Sequence, residues 1–234
     1  MVARIEAVAL EVGDAEDVAA FWAELLGRRP VVQRGAVPLP GDAQQVGLRF
    51  VTSDTEQVGP RRMHLHLTST SLDDQLATVE KVLRLGGRHL DVGQDPDDEF
   101  VVLADPGGNE MCVIEPGNSF LTGTGYLGEI TCEGSRQLGL FWHEALAWPL
   151  VWDHEEETAI QSPRGGTKLS WGGDPAPRHG RSRQRFDLVS DEPTAEVERL
   201  VALGATVLAH TGEAVELADV DGNEFALRPA TASP

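Results

Sequence analysis

The chain has 234 residues, of which 19 are basic and 38 acidic, giving a formal net charge of −19. So acidic a surface repels both a phosphate backbone and an anionic membrane, so neither nucleic acid nor a membrane is expected as a partner. Hydrophobic residues make up 41%, which excludes global disorder, and the length suits one or two domains.

The N-terminus reads MVARIEAVALEV. It has no basic head before an uninterrupted apolar stretch, and no run of about 18 apolar residues follows, so neither signal peptide nor membrane span is expected and a cytoplasmic location is. Arg4–Val12 alternates as a strand. Asp14 can cap a helix on which Val18, Phe21, Trp22 and Leu25 share one face. Short strands are expected at Arg29–Gln33 and Gly47–Val51. Arg62–Thr68 is the next strand, followed by a helix capped by Ser71 or Asp73, with Leu76, Val79, Val82 and Leu83 on its apolar face. Phe100–Ala104 and Glu110–Ile114 flank the turn Asp105-Pro106-Gly107-Gly108. Tyr126–Cys132 and Gln184–Val189 lead two further units, and Asp221-Gly222-Asn223 forms the last turn. Cys112 and Cys132 are the two cysteines, too few for a disulfide framework and suited to a reducing compartment.

The chain repeats itself. LADPGGNEMCV at 103–113 returns as LADVDGNEFAL at 217–227, AAFWAELLG at 19–27 as GLFWHEALA at 139–147, and VEKVLRLGG at 79–87 as VERLVALGA at 197–205. Three matches in one order define two homologous halves. Each half is itself double, so the chain is four βαβββ units of about 58 residues. An antiparallel sheet covered by one helix leaves a bare concave face, and two units side by side curl around a cleft.

FW in the first helix, a leading strand such as RMHLHL and DPxGN before the last strand together resemble the vicinal oxygen chelate superfamily. That superfamily includes glyoxalase I, bleomycin-resistance proteins and extradiol dioxygenases. The resemblance implies an α+β fold of two half-open-barrel, glyoxalase-like domains, 1–117 and 126–234, joined by a linker at 118–125. It also implies four cavity-facing positions per domain at which metalloenzymes carry His, Gln or Glu. These fall on Ala7, Arg49, His64 and Cys112 in the first half and on Leu127, Ser170, Arg185 and Ala226 in the second. No set of two histidines and a carboxylate gathers there, so no metal or other cofactor is assigned. Glu110 and Glu224 read as turn residues that order the DPxGN loops.

His64 and His66, two apart on a strand, face one side as an acid–base or ligand pair, or simply line a wet pocket. Arg181, Arg183 and Arg185 alternate in RSRQR, Lys168 and Ser170 are likewise two apart, and Arg49 and Arg62 join the histidines in the first cleft. A guanidinium can hold a carboxylate or enolate oxygen where a metal ion would otherwise do so. The alternative is that the arginines pair with the chain's own carboxylates and close the sheet. Among Trp148, Trp152 and Trp171, the last precedes Gly172-Gly173 at a strand end and is the foremost pocket-wall candidate, with core packing as the other reading.

The expected function is metal-free binding of a small, partly aromatic or anionic molecule by Arg49, Arg62, His64, His66, Cys112, Lys168, Ser170, Trp171, Arg183 and Arg185. The alternative is an enzyme of the superfamily. It is either a metal-independent lyase or isomerase with His64 as general base, or a divalent-metal-dependent glyoxalase- or dioxygenase-like activity centred on His64. The assembly is a monomer with internally paired domains or a homodimer.

Overall fold

The computed structural model describes residues 2–54, 62–95, 97–173 and 180–230. The first unit is β1 (Arg4–Val12), α1 (Ala15–Leu26), β2 (Ala36–Leu39) and β3 (Gly47–Thr52). The second is β4 (Met63–Leu67), α2 (Leu72–Arg84), β5 (Arg88–His89), β6 (Val101–Ala104) and β7 (Glu110–Val113). The third is β8 (Leu127–Glu133), α3 (Arg136–Leu146), β9 (Leu150–His154), β10 (Glu157–Gln161) and β11 (Lys168–Gly172). The fourth is β12 (Gln184–Ser190), α4 (Pro193–Ala202), β13 (Thr206–Thr211), β14 (Ala214–Ala218) and β15 (Glu224–Pro229). No helix of the described residues is long and apolar enough to cross a membrane.

The units do not pair within the sequence halves. One sheet runs β13-β14-β15-β12-β1-β3-β2 and the other β5-β6-β7-β4-β8-β11-β10-β9. The fourth unit therefore completes the sheet of the first, through antiparallel β1 and β12, and the third completes that of the second, through antiparallel β4 and β8. This corrects the expectation that each half closes its own cleft: each concave face takes one unit from either half.

Within a half, the units are tied by a different bond. The Trp22 indole N–H donates to the buried Asp105 carboxylate at 2.8 Å, and Asp105 also accepts from the Asn109 backbone and side-chain amides. In the second half Trp142 donates to Asp219 at 3.3 Å, and Asp219 accepts from the Asn223 backbone N–H. The repeated FW and DPxGN signatures are thus two ends of one contact: the Trp buries its ring against the sheet while its single donor satisfies the carboxylate that shapes the turn. Two glutamines join the sheets. The Gln184 amide pairs with the Met63 N–H and carbonyl, and Gln45 accepts from the Leu127 N–H while donating to the Thr124 carbonyl.

Local expectations were met with three exceptions. Arg29–Gln33 is not a strand. Pro30 has no N–H to give a ladder, and Gln33 makes only an isolated bridge to Ala36 across a turn at Gly35. In α2, Ser71 is the cap, accepting from the Asp74 N–H, and the buried face is Gln75, Thr78, Val79 and Val82. Leu76 and Leu83 are exposed, displaced from the core because the Gln75 amide turns inward to hold the Glu99 and Val113 carbonyls.

Trp22→Phe keeps the apolar ring but removes one donor from the buried Asp105 carboxylate, so urea denaturation is expected to show a loss of about 1–3 kcal/mol. Trp142→Phe removes the longer bond and is expected to cost less.

Candidate functional site

On the first sheet the concave face is built from alternate residues of β1, β3, β12 and β15. Ala9 on the central strand lies level with Arg49 on one side and Arg185 on the other. Asp187, fully buried, sits among three guanidiniums: Arg228 at 2.9 Å, Arg185 at 3.3 Å and Arg49 at 3.7 Å. Arg185 also donates to Glu11 at 2.9 Å, and Arg181 reaches both Glu11 and Glu216. Of the two readings of these arginines, Arg49, Arg181 and Arg185 fit the second: each is paired with the protein's own carboxylates. A buried arginine must find an anion, and the strand that carries Arg185 carries Asp187 two residues on, on the same face. Burial and the neighbouring Arg228 charge lower the proton affinity of Arg49, against the pull of Asp187. Among the described residues Arg183 forms no ion pair, and its Nε is buried without a hydrogen-bond partner there. Arg62 lies at the approach to β4, its backbone N–H bonded to Gln184 and its guanidinium to Asn223.

The second sheet presents a different surface. His66 faces Cys112 across β7 and Glu129 across β8. His66 Nδ1 and Glu129 Oε2 are 2.8 Å apart, and His64 Nδ1 lies 3.1 Å from Glu110. Burial pulls the His66 pKa down, but hydrogen bonds and charge from Cys112 and Glu129 outweigh it and raise the pKa to about 10. Glu129, not Leu127, is the inward residue of β8. Leu127 packs into the core beyond a register irregularity in the β4–β8 pairing, opposite Leu67. Further along the sheet, Thr131, Ser170, Lys168 and Trp152 border a cavity of about 550 Å³.

The segment between the halves is part of this site. Residues 115–125 fold through bonds of Asn118 to Glu115 and of Thr124 to the Leu121 carbonyl, and cross the concave face. Leu121 covers Cys112, Val102 and Ile114, with Phe120 packed beside them. Phe120 also walls the cavity, meets Trp152 edge-on at 6.0 Å and lies under the Lys168 ammonium at 4.1 Å. Lys168 donates to the Phe120 carbonyl. Trp171 adjoins the cavity along β11, but its ring is turned away: it is 2% exposed and stacks on Trp142 at 6.4 Å with an interplanar angle of 2°. Trp171 therefore packs in the core, since on β11 its neighbours Ser170 and Gly172 take the cavity side, and Trp152, 44% exposed, supplies the open indole instead.

The donor set does not suit a divalent ion. Among the described residues no three His, Cys, Asp or Glu side chains are grouped to hold one. Guanidiniums occupy the first concave face, and the Lys168 charge acts on Glu129 in the second. A metal ion would meet repulsion at both.

A glyoxalase-like domain model matches residues 7–114 and again 129–228. The chain belongs to the glyoxalase-like family. Its fold is similar to that of glyoxalase I from Zea mays, at a TM-score of 0.71 and 13% identity over 97% of this chain and 92% of that one. It is also similar to a putative dioxygenase from Bacillus subtilis, at a TM-score of 0.63 and 13% identity over 99% and 86% of the two chains. At that identity the likeness to these two structures is one of fold. No curated protein sequence matches the chain.

Asp187→Asn leaves three guanidiniums around a neutral amide, and chemical denaturation is expected to show a loss of about 3–5 kcal/mol. In an NMR titration the His66 ring is expected to stay protonated far above the ordinary 6.5, to about pH 10. Because the folded pKa is the raised one, the stability it contributes is complete below about pH 6.5 and is lost as pH rises through about 10.

Proposed function

We propose that this glyoxalase-like chain is a metal-independent small-molecule-binding protein of the cytoplasm, and that its ligand is compact, aromatic and polar or anionic at one edge. The observation that carries this reading is one cavity of about 550 Å³ with aromatic walls from Phe120 and Trp152 and polar groups from Thr131, Ser170 and Lys168. That volume lies within the range of cavities that enclose drug-sized molecules, of order 300–1,000 Å³. The half-exposed Trp152 indole offers a flat face for stacking. The Lys168 ammonium and the Ser170 hydroxyl orient the polar edge, while His66 balances the Glu129 charge that would repel an anion. Such a site suits sequestration of a drug or natural product.

A second reading, a metal-independent proton-transfer enzyme, is favoured by the His64–Glu110 pair at 3.1 Å, which orients a half-buried imidazole for use as a base. Loss of turnover in His64→Ala with ligand affinity kept would select it over simple binding.

Fluorescence titration with catechols, naphthols and aromatic antibiotics tests the proposal. A bound compound is expected to quench the exposed indole, and Trp152→Ala is expected to weaken its affinity at least about tenfold, or 1.4 kcal/mol. The melting temperature of that variant should change little, because Trp152 is 44% exposed. Equal affinity in Trp152→Ala and the natural chain would overturn the assignment.

A further inference from the structure

We infer that α2 is a self-association surface: two copies of this chain pair their α2 helices antiparallel across a two-fold axis, with Leu72, Leu76 and Leu83 as the contact strip. The inference does not depend on which molecule fills the cavity, because α2 packs on the opposite face of the second sheet.

The strip is continuous and uncovered. Leu72 is 65% exposed, Leu76 61% and Leu83 39%. At 3.6 residues per turn the three lie within about 40° of one another around the helix. The buried face of α2 is carried instead by Gln75, Thr78, Val79 and Val82, so the leucines add little to this chain's own core. Among the described residues neither α1 nor α3 exposes a large hydrophobic side chain, and α4 exposes Val201 alone. The repeat shows that the fold does not require the strip. In the fourth unit Thr194 stands where Leu76 does, and Ala202 where Arg84 does.

The charges beside the strip select its occupant. Asp73 stands at the start of α2 and Arg84 at its end, on one flank of the strip. Both are exposed, and neither forms an ion pair among the described residues. Asp74 and Lys81 are engaged within the chain, by the Thr70 hydroxyl and the Glu24 carbonyl. Antiparallel pairing about the level of Thr78 sets Leu72 against Leu83 of the second copy and Asp73 against its Arg84, and the two-fold axis repeats both contacts. Glu80, one turn before Arg84, falls level with Leu76 of the second copy, where no like charge stands. Parallel pairing would instead set Asp73 against Asp73 and Arg84 against Arg84.

The helix has 13 residues and is about 20 Å long. One such face buries less than the roughly 1,200 Å² of a standard interface, so the dimer is weak and forms with rising concentration. The net charge of −19 on each copy opposes approach in low salt. Physiological ionic strength, where the screening length is about 8 Å, favours it.

Sedimentation equilibrium of the full chain at physiological ionic strength, from about 1 µM to about 1 mM, spans the range in which a small interface assembles. A monomer–dimer equilibrium is expected. Leu76→Asp is expected to weaken it at least about tenfold with unchanged circular dichroism. Asp73→Arg and Arg84→Asp test the pairing itself. Each variant alone sets like charges together at both contacts and is expected to weaken self-association at least about tenfold. Mixed in equal amounts, the two variants bring opposite charges together at both contacts, and a heterodimer of near-natural affinity is expected. These charge variants decide the matter where Leu76→Asp alters the circular dichroism. A chain that stays monomeric across the range, a dimer undisturbed by a folded Leu76→Asp, or charge variants that associate no better mixed than alone would each overturn the inference.

Discussion

Two antiparallel strand pairs, β1 with β12 and β4 with β8, hold the molecule at its centre. Each pair joins leading strands from opposite halves of the sequence. The buried Trp22–Asp105 and Trp142–Asp219 bonds then link the units that are consecutive in the chain. Every unit is fastened to one neighbour by a backbone ladder and to another by an indole and a carboxylate. Four units fixed in this way form a closed ring, and the two concave faces occupy fixed positions within it. The glutamine amides of Gln45 and Gln184 finish the join by mimicking a peptide group at the strand ends.

The two faces share a backbone and differ in chemistry. Around Asp187 the cations and anions belong to the protein, and their mutual attraction offsets the cost of taking charges out of water. Such a cluster fixes side chains in place more than it adds to stability. The face around His66 has fewer charges, more hydroxyls and two aromatic rings next to open volume. Fold and family are common to both, so the difference lies in which side chains stand at equivalent strand positions.

Much of this was legible in the sequence. The repeats gave four units, and alternation placed Arg49, Arg185, Lys168 and Ser170 on inward-facing positions. Asp187 was equally readable, two residues beyond Arg185 in QRFDLV and so on the same face, where it meets the expectation that the arginines pair with the chain's own carboxylates. What stayed hidden has physical reasons. Nothing local distinguishes pairing within a half from pairing across halves, because the choice is made by contacts far apart in sequence. A register irregularity at the start of β8 moved the inward position from Leu127 to Glu129. Trp152 and Trp171 both sit on strands of one sheet, and only the three-dimensional packing shows which ring meets Trp142 and which meets the cavity. A polar, glycine-rich stretch reads as a tether, yet Phe120 and Leu121 within it have apolar surface to bury.

That stretch breaks the symmetry of the architecture. Two separately encoded copies of a half could assemble both sheets, but neither would possess a peptide running from one to the next. The covalent join supplies a ceiling to a single concave face, and with it a ring, a carbonyl and a turn. The molecule's two hollows are therefore unequal, and altering the length of the join reshapes a binding surface as much as it lengthens a tether.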